Sequence, residues 1–252
     1  MKSFSSILRI APIVFGLLLI SAASMADEIR IAVASNFVGT MKILANEFER
    51  DTEHRVVLIP GSTGKHYAQI INGAPFDVFF AADVKRPELL DRQGLIVPSS
   101  RFPYAIGKLA LWSALERAID SEGRVLVEGD FRYLAIANPK LAPYGRAAEE
   151  VIRSKGAWIA IQDRLVRGEN IAQTFQFVSS GNAELGFVAY SQIVKLGEVF
   201  QGSYWVVSEN LYSPIKQQAV LLTNNEVARA FLVYLKSAEA LEIIQSFGYG
   251  AP

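Results

Sequence analysis

The chain has 252 residues, 51% of them hydrophobic, with 25 basic and 25 acidic side chains and no cysteine. Without cysteine there are no disulfides, thiolate metal sites or cysteine nucleophiles, and the balanced charge speaks against nucleic acid, whose binders carry a basic patch. A chain of this size buries roughly 70 per cent of its unfolded surface, enough for one large or two modest domains without covalent staples.

Lys2 and Arg9 mark a basic start, Ala11 to Ala22 is an almost unbroken apolar run, and Ser24 and Ala26 put small residues where signal peptidase reads. This is the pattern of a secretory signal peptide, residues 1–26, cleaved after Ala26. The run is too short for a transmembrane helix, which needs about 20 apolar residues. Lys2 and Arg9 leave with the peptide, so 23 basic groups face 25 acidic ones in the mature chain. Charges or Gly and Pro interrupt every later apolar run, and the mature protein is expected to be soluble.

Ile29 to Ala34 reads as a strand, Val38 to Thr52 as an amphipathic helix, Arg55 to Ile59 as a strand and, after a Gly-Ser-Thr-Gly turn, Lys65 to Asn72 as a helix. Asp77 to Ala81 is an apolar strand, Lys85 to Gln93 a helix stopped by Gly94, and Leu109 to Trp112 a strand. Leu134 to Ala137 runs through Asn138-Pro139 into a helix over Gly145 to Ser154, and Leu165 to Arg167 leads past Gly168 to a helix at Ile171 to Ser179. Leu185 to Val188, Trp205 to Val207 and Gln218 to Leu222 are strands, and helices at Asn225 to Ser237 and Ala238 to Phe247 close the chain. Such alternation implies a parallel α/β sheet. The pattern alone allows one doubly wound sheet or two smaller ones.

Four junctions share one design, a strand ending in a small or hydroxyl-bearing loop that opens straight into a helix: Ala34-Ser35-Asn36, Gly61 to Gly64, Ala142 to Gly145 and Gly168 to Ile171. A helix N-terminus offers unpaired N–H groups and about half a positive charge, so it attracts anions without Lys or Arg. Plain capping accounts for each junction equally well, because Ser, Thr and Asn are favoured N-caps in any helix. Four together, at the carboxyl ends of strands where open α/β sheets bind ligands, point to a site.

Other chemistry is thinly supplied. His54 lies in a charged turn, and His66 stands near Ser62 and Thr63 as a conceivable base, but no third group orients it. No clustered metal ligands are present, and the Gly61 to Gly64 loop lacks the Lys-Ser/Thr of a phosphate-binding P-loop. Asp77 and Asp83 bracket one strand and suit turn and capping roles better than an acid/base pair. Lys216, Gln217 and Gln218 form a polar cluster that fits a hinge or a solvated loop, and Trp112, Trp158 and Trp205 read as core or interface aromatics.

Several segments, in this order, resemble the periplasmic molybdate-binding proteins of ABC importers over essentially the whole mature chain. They are Gly-Ser-Thr-Gly at 61–64, Gln-Ile-Ile-Asn-Gly-Ala-Pro-Phe-Asp-Val-Phe-Phe-Ala-Ala-Asp at 69–83, and Asn-Pro-Lys-Leu-Ala-Pro-Tyr-Gly-Arg-Ala at 138–147. Gly-Glu-Asn-Ile-Ala-Gln-Thr at 168–174, Val-Ser-Ser-Gly-Asn-Ala-Glu-Leu-Gly-Phe-Val at 178–188 and Pro-Ile-Lys-Gln-Gln at 214–218 extend the match.

The resemblance implies a two-lobed type II periplasmic-binding fold, each lobe a mostly parallel sheet flanked by helices. One lobe would be residues 27–107 plus 213–252 and the other 108–212, with crossings near 105–110 and 208–215. It implies a binding protein without enzymatic activity, cofactor or direct metal-cation ligands, holding molybdate and tungstate by neutral hydroxyl and backbone N–H donors. Matched by motif, Ser35, Asn36 and Thr63 would serve from the first lobe and Tyr144 and Ile171 from the second, Asn36 adding its amide and Ile171 acting through its backbone N–H. The position after the Gly-Phe-Val strand, where some relatives carry a ligand tyrosine, is Ala189 here, with Tyr190 one residue on and Tyr144 as the compensating phenol. The expected setting is the periplasm, with a membrane permease as partner and a monomeric chain. The alternatives are a relative tuned to sulfate or phosphate, a secreted hydrolase using Ser62 or Thr63 with His66, and a structural ectodomain with no small-molecule affinity.

Overall fold

The computed structural model describes residues 27–195, 198–199 and 201–252; the expected signal peptide at 1–26 lies outside the described residues. The chain opens with β1 (Glu28–Ala34), α1 (Val38–Thr52), β2 (Arg55–Gly61), α2 (Thr63–Ile71), β3 (Val78–Ala81) and α3 (Lys85–Arg92). β4 (Phe102–Gly107) and β5 (Leu109–Ser113) follow with only Lys108 between them. Then come α4 (Val125–Glu128), β6 (Leu134–Ala137), α5 (Pro143–Ser154), α6 (Trp158–Ile161), β7 (Leu165–Gly168), α7 (Ile171–Ser179), β8 (Leu185–Ala189) and α8 (Tyr190–Ile193). The last part holds β9 (Val194–Lys195), β10 (Glu198–Val199), β11 (Ser203–Val206), β12 (Ile215–Leu221), α9 (Glu226–Tyr234) and α10 (Ala238–Ser246).

These strands form two five-stranded sheets, β2-β1-β3-β12-β4 and β11-β5-β8-β6-β7, beside a small antiparallel β9–β10 pair. In the first sheet only β12 is reversed, pairing antiparallel with both β3 and β4. In the second only β5 is reversed, antiparallel to β8 and β11. Strand and helix alternation leads one to expect parallel pairing throughout, and the two exceptions have one cause. A parallel neighbour needs a crossover of a dozen or more residues, whereas β5 and β12 are the strands by which the chain enters one sheet from the other.

Both faces of each sheet are covered, so the strands read as continuous apolar runs. Along β1, Ile29, Ile31 and Val33 pack with Phe37, Met41, Leu44 and Phe231 on one face, while Ala32 joins Ile70, Phe79 and Leu90 on the other. The second sheet repeats the alternation, Leu109 and Leu111 packing with Phe187 and Val151, and Ala110 and Trp112 with Val178 and Val188. Trp112 stacks on Phe175 at 4.9 Å, Trp158 lies under the Arg153 guanidinium and Trp205 under the Lys155 ammonium, so all three tryptophans serve the second sheet and its helices. Among the described residues no helix is long and apolar enough to cross a membrane.

α2 is capped by Ser62, whose hydroxyl accepts from the Lys65 N–H, and tied down by His66, which is 1% exposed. The imidazole Nε2 lies 3.2 Å from the Val33 carbonyl and Nδ1 3.1 Å from Gln69 Oε1. Gly61 leaves room for the ring, since a Cβ there would stand 2.7 Å from Nε2. Burial lowers the His66 pKa below 6.5, so the unfolded chain takes up this proton first. The stabilisation from neutral His66 is therefore present above pH ~6.5 and lost as the pH falls below it. Thermal unfolding between pH 7.5 and pH 5.5 should show a fall in Tm that His66→Gln reduces; an unchanged slope in that variant would remove His66 from the account.

Candidate functional site

Helices α2, α5 and α7, and the short 3-10 turn Ser35–Phe37 that leads into α1, all begin at the carboxyl end of a strand. The two sheets face each other so that these four starts converge. They enclose a small cavity, ≈180 Å³ of empty space including its opening, lined by Ala34, Ser35, Asn36, Gly61, Ser62, Thr63, Ala82, Ala142, Pro143, Tyr144 and Ile171. No charged side chain is in that lining. Every site residue expected from the sequence is there, and all four junctions contribute.

The first N–H groups of a helix have no partner within it and point outward along the axis. At α7 the Asn170 side chain accepts from Ala172 and Gln173, which leaves the Ile171 N–H for the cavity. At α2 Ser62 takes the Lys65 N–H, and the Thr63 hydroxyl accepts from the Ala82 N–H at 3.0 Å, so the Thr63 proton is free to be donated elsewhere. α5 starts on Pro143, which lacks an N–H, and no side chain caps it. Tyr144 follows, 1% exposed, and its buried phenolic oxygen makes no well-formed hydrogen bond, although the Gln217 amide lies close enough to favour the ionised phenol slightly. Burial pushes the phenol pKa well above its ordinary value, so it stands as a neutral donor.

Asn36 differs from its sequence reading. Its carboxamide Nδ2 donates to Gln217 Oε1 at 2.8 Å and to the Tyr249 hydroxyl at 3.1 Å, which uses both hydrogens, while Tyr249 donates back to the Asn36 carbonyl. What Asn36 can turn to the cavity is its backbone N–H. Tyr190 lies outside the lining and packs against Gly248 and Tyr204. His66 faces Val33 and Gln69, not Ser62 or Thr63, so no nucleophile and base are paired.

Two arginines stand close by, and one carboxylate answers both. Asp83 accepts the Arg86 backbone N–H at 3.0 Å in the first turn of α3, pairs with the Arg86 guanidinium and lies 3.7 Å from Arg146. Asp77 has a similar structural duty, accepting from the Arg30 N–H and the Thr223 hydroxyl. Neither aspartate takes part in an acid/base pair.

Direct contacts bridge the two halves around the cavity. The Gly64 N–H donates to the Leu141 carbonyl at 2.8 Å, Arg86 to the Lys140 carbonyl at 3.1 Å, and Ser191 to the Asn36 carbonyl at 3.2 Å. On the far flank Lys65 pairs with Glu169 at 2.7 Å. The sequence reading missed these bridges because each joins residues distant in the chain, with no local pattern to mark them.

A family model of bacterial extracellular solute-binding proteins matches residues 29–250. The molybdate-binding protein ModA of Azotobacter vinelandii is 50% identical over 235 residues, 92% of this chain and 93% of that protein. ModA of Rhodobacter capsulatus is 43% identical over 254 residues, 99% of each. Among solved structures, the periplasmic molybdate-binding protein of A. vinelandii superimposes with a TM-score of 0.87 at 44% identity, over 89% of this chain and 99% of that one.

Gly64 sits at a bridge between two backbones, where an added Cβ would stand 2.9 Å from the Leu141 carbonyl oxygen and 3.0 Å from its Cα. Both obstacles are backbone. Gly64→Ala should hold the halves apart, read by small-angle scattering as a larger radius of gyration than the parent chain; an identical radius would show that the approach tolerates the methyl group.

Proposed function

We propose that this chain, which belongs to the bacterial extracellular solute-binding proteins, is the substrate-binding component of an ABC importer and captures molybdate between its two lobes. The observation that carries the reading is the donor set. Ser35, Asn36 and Thr63 from one side and Tyr144 and Ile171 from the other surround a cavity without a charged side chain. A tetrahedral dianion fits that chemistry, because converging helix starts and hydroxyls supply N–H and O–H donors and a favourable potential while offering no cation to bind anions indiscriminately. The molybdate for which the ModA relatives are named points the same way.

In the cycle we infer, the lobes are residues 27–107 with 213–252, and 108–212, a division supported by the strand membership of the two sheets. The anion bridges donors of both lobes and so favours the closed arrangement. The closed complex is recognised in the periplasm by a membrane permease, and a single chain is sufficient for that encounter. No cofactor takes part. Tungstate, nearly isosteric with molybdate, binds comparably, whereas a smaller oxyanion such as sulfate leaves some donors unmet. Each buried donor left unpaired costs about 1 to 3 kcal/mol.

Calorimetric titration of residues 27–252 should give one-to-one binding with molybdate and tungstate and no measurable heat with sulfate or phosphate. Thr63→Val keeps the shape and removes the hydroxyl, and is expected to weaken molybdate binding about tenfold or more, in line with one lost hydrogen bond to a charged partner. Heat from sulfate or phosphate with silence toward molybdate would overturn the ligand assignment.

A further inference from the structure

Gln217 lies on β12, 0% exposed, where that strand's register against β4 shifts between Gln217 and Gln218. Its carbonyl oxygen Oε1 accepts from Asn36 Nδ2 at 2.8 Å and from the Tyr104 hydroxyl at 2.9 Å. Two donors on one oxygen fix which end of the amide is which, so Nε2, with two hydrogens, faces the other way. Nε2 is buried and makes no well-formed hydrogen bond, and the polar group it lies close to is the Tyr144 phenol.

The Tyr144 phenol is another buried group without a well-formed hydrogen bond, and the two share one neighbourhood. A Cβ built on Gly107 would stand 2.2 Å from the Tyr144 hydroxyl oxygen and 2.9 Å from Gln217 Nε2, so the absence of a side chain at Gly107 lets both approach the same point. One of the pair has only hydrogens to give. The other has a lone pair to accept with and a proton to pass on. Leaving a polar group buried and unpaired is costly, so two side by side are expected to satisfy each other, the phenol turning its O–H away from the amide.

We propose that Gln217 is a positioning residue for the anion: its amide N–H donates to the Tyr144 phenolic oxygen and so directs the phenol's own proton into the cavity. The proposal rests on the oxyanion reading of the site. Tyr104 and Asn36 hold the amide oxygen, the amide nitrogen holds the phenol, and the phenol donates to the ligand. Each hydrogen bond in this relay polarises the next in a low-dielectric interior, so the phenol becomes a better donor than an unsupported tyrosine. Because Gln217 and Asn36 belong to the first sheet and its loops while Tyr144 opens α5 of the second lobe, the relay is complete only when the lobes are together.

The test is a double-mutant cycle on molybdate affinity, by calorimetry, with Gln217→Met, Tyr144→Phe and the pair. Each single variant should lose about tenfold, and the double should be no weaker than the weaker single, because Gln217 acts only through the phenol. Losses that multiply would overturn the proposal, as would full affinity in Gln217→Met. Gln217→Asn, which keeps the amide but shortens its reach, should repeat the pattern and stands in if Gln217→Met does not fold. Silence of the unaltered chain toward molybdate would overturn the ligand reading itself, which separates that failure from this one.

Discussion

The first N–H groups of a helix find no carbonyl in their own helix, and the region between the two sheets is organised by where this chain sends them. Elsewhere the chain satisfies them with side chains, as Asn225 does for α9 and Ser237 for α10. At four starts it aims the leftover donors at one cavity. The cap residues there sharpen the effect: Asn170 takes the Ala172 and Gln173 N–H groups and leaves that of Ile171, and Ser62 takes the Lys65 N–H and leaves that of Thr63. A site of this kind needs no cation, and two arginines beside it, Arg86 and Arg146, share the carboxylate of Asp83. Neutrality is thus maintained as well as built.

Much of this was legible in the sequence because it is local. The helix limits at Val38–Thr52 and Ile171–Ser179 follow from periodicity and from Asn170 as a cap, and the four junctions follow from small and hydroxyl-bearing residues between a strand and a helix. β4 escaped notice, since Pro103 interrupts Phe102–Gly107 and nothing in the pattern marks that run as a strand. β12 was found only from Gln218 onward, because Pro214 and the polar Lys216 and Gln217 read as a loop until their pairing with β4 is seen. That Ser35, Asn36, Thr63, Tyr144 and Ile171 share one cavity follows the sequence reading, but the use of each group was not legible. Whether the Asn36 amide faces a ligand or Gln217 and Tyr249 depends on residues about 180 and 210 positions away, and only the fold brings them together.

The direct bridges between the halves are individually modest. Lys65 and Glu169 are half exposed, and a pair of that kind contributes about 0 to 1 kcal/mol. The Gly64 and Arg86 bonds go to carbonyls of one short loop, Lys140 and Leu141, so they act together and lend that loop a register rather than great strength. Contacts this weak suit the closing and reopening proposed for the binding cycle, since a ligand can shift an equilibrium only by its differential affinity for the two states.

The place of β12 also bears on how the chain reaches this form. β12 lies between β3 and β4, pairs with both, and is supplied by residues 215–221, near the end of a 252-residue polypeptide. Until that segment arrives, β3 and β4 each present an unmatched row of N–H and C=O groups, and an unmatched strand edge is a template for pairing with another chain. All strands of the second sheet, by contrast, fall between Leu109 and Val206 and precede it. A polypeptide delivered N-terminus first can therefore assemble its middle while its beginning still waits for its end, which makes the interval before residue 215 emerges the one in which self-association is the hazard.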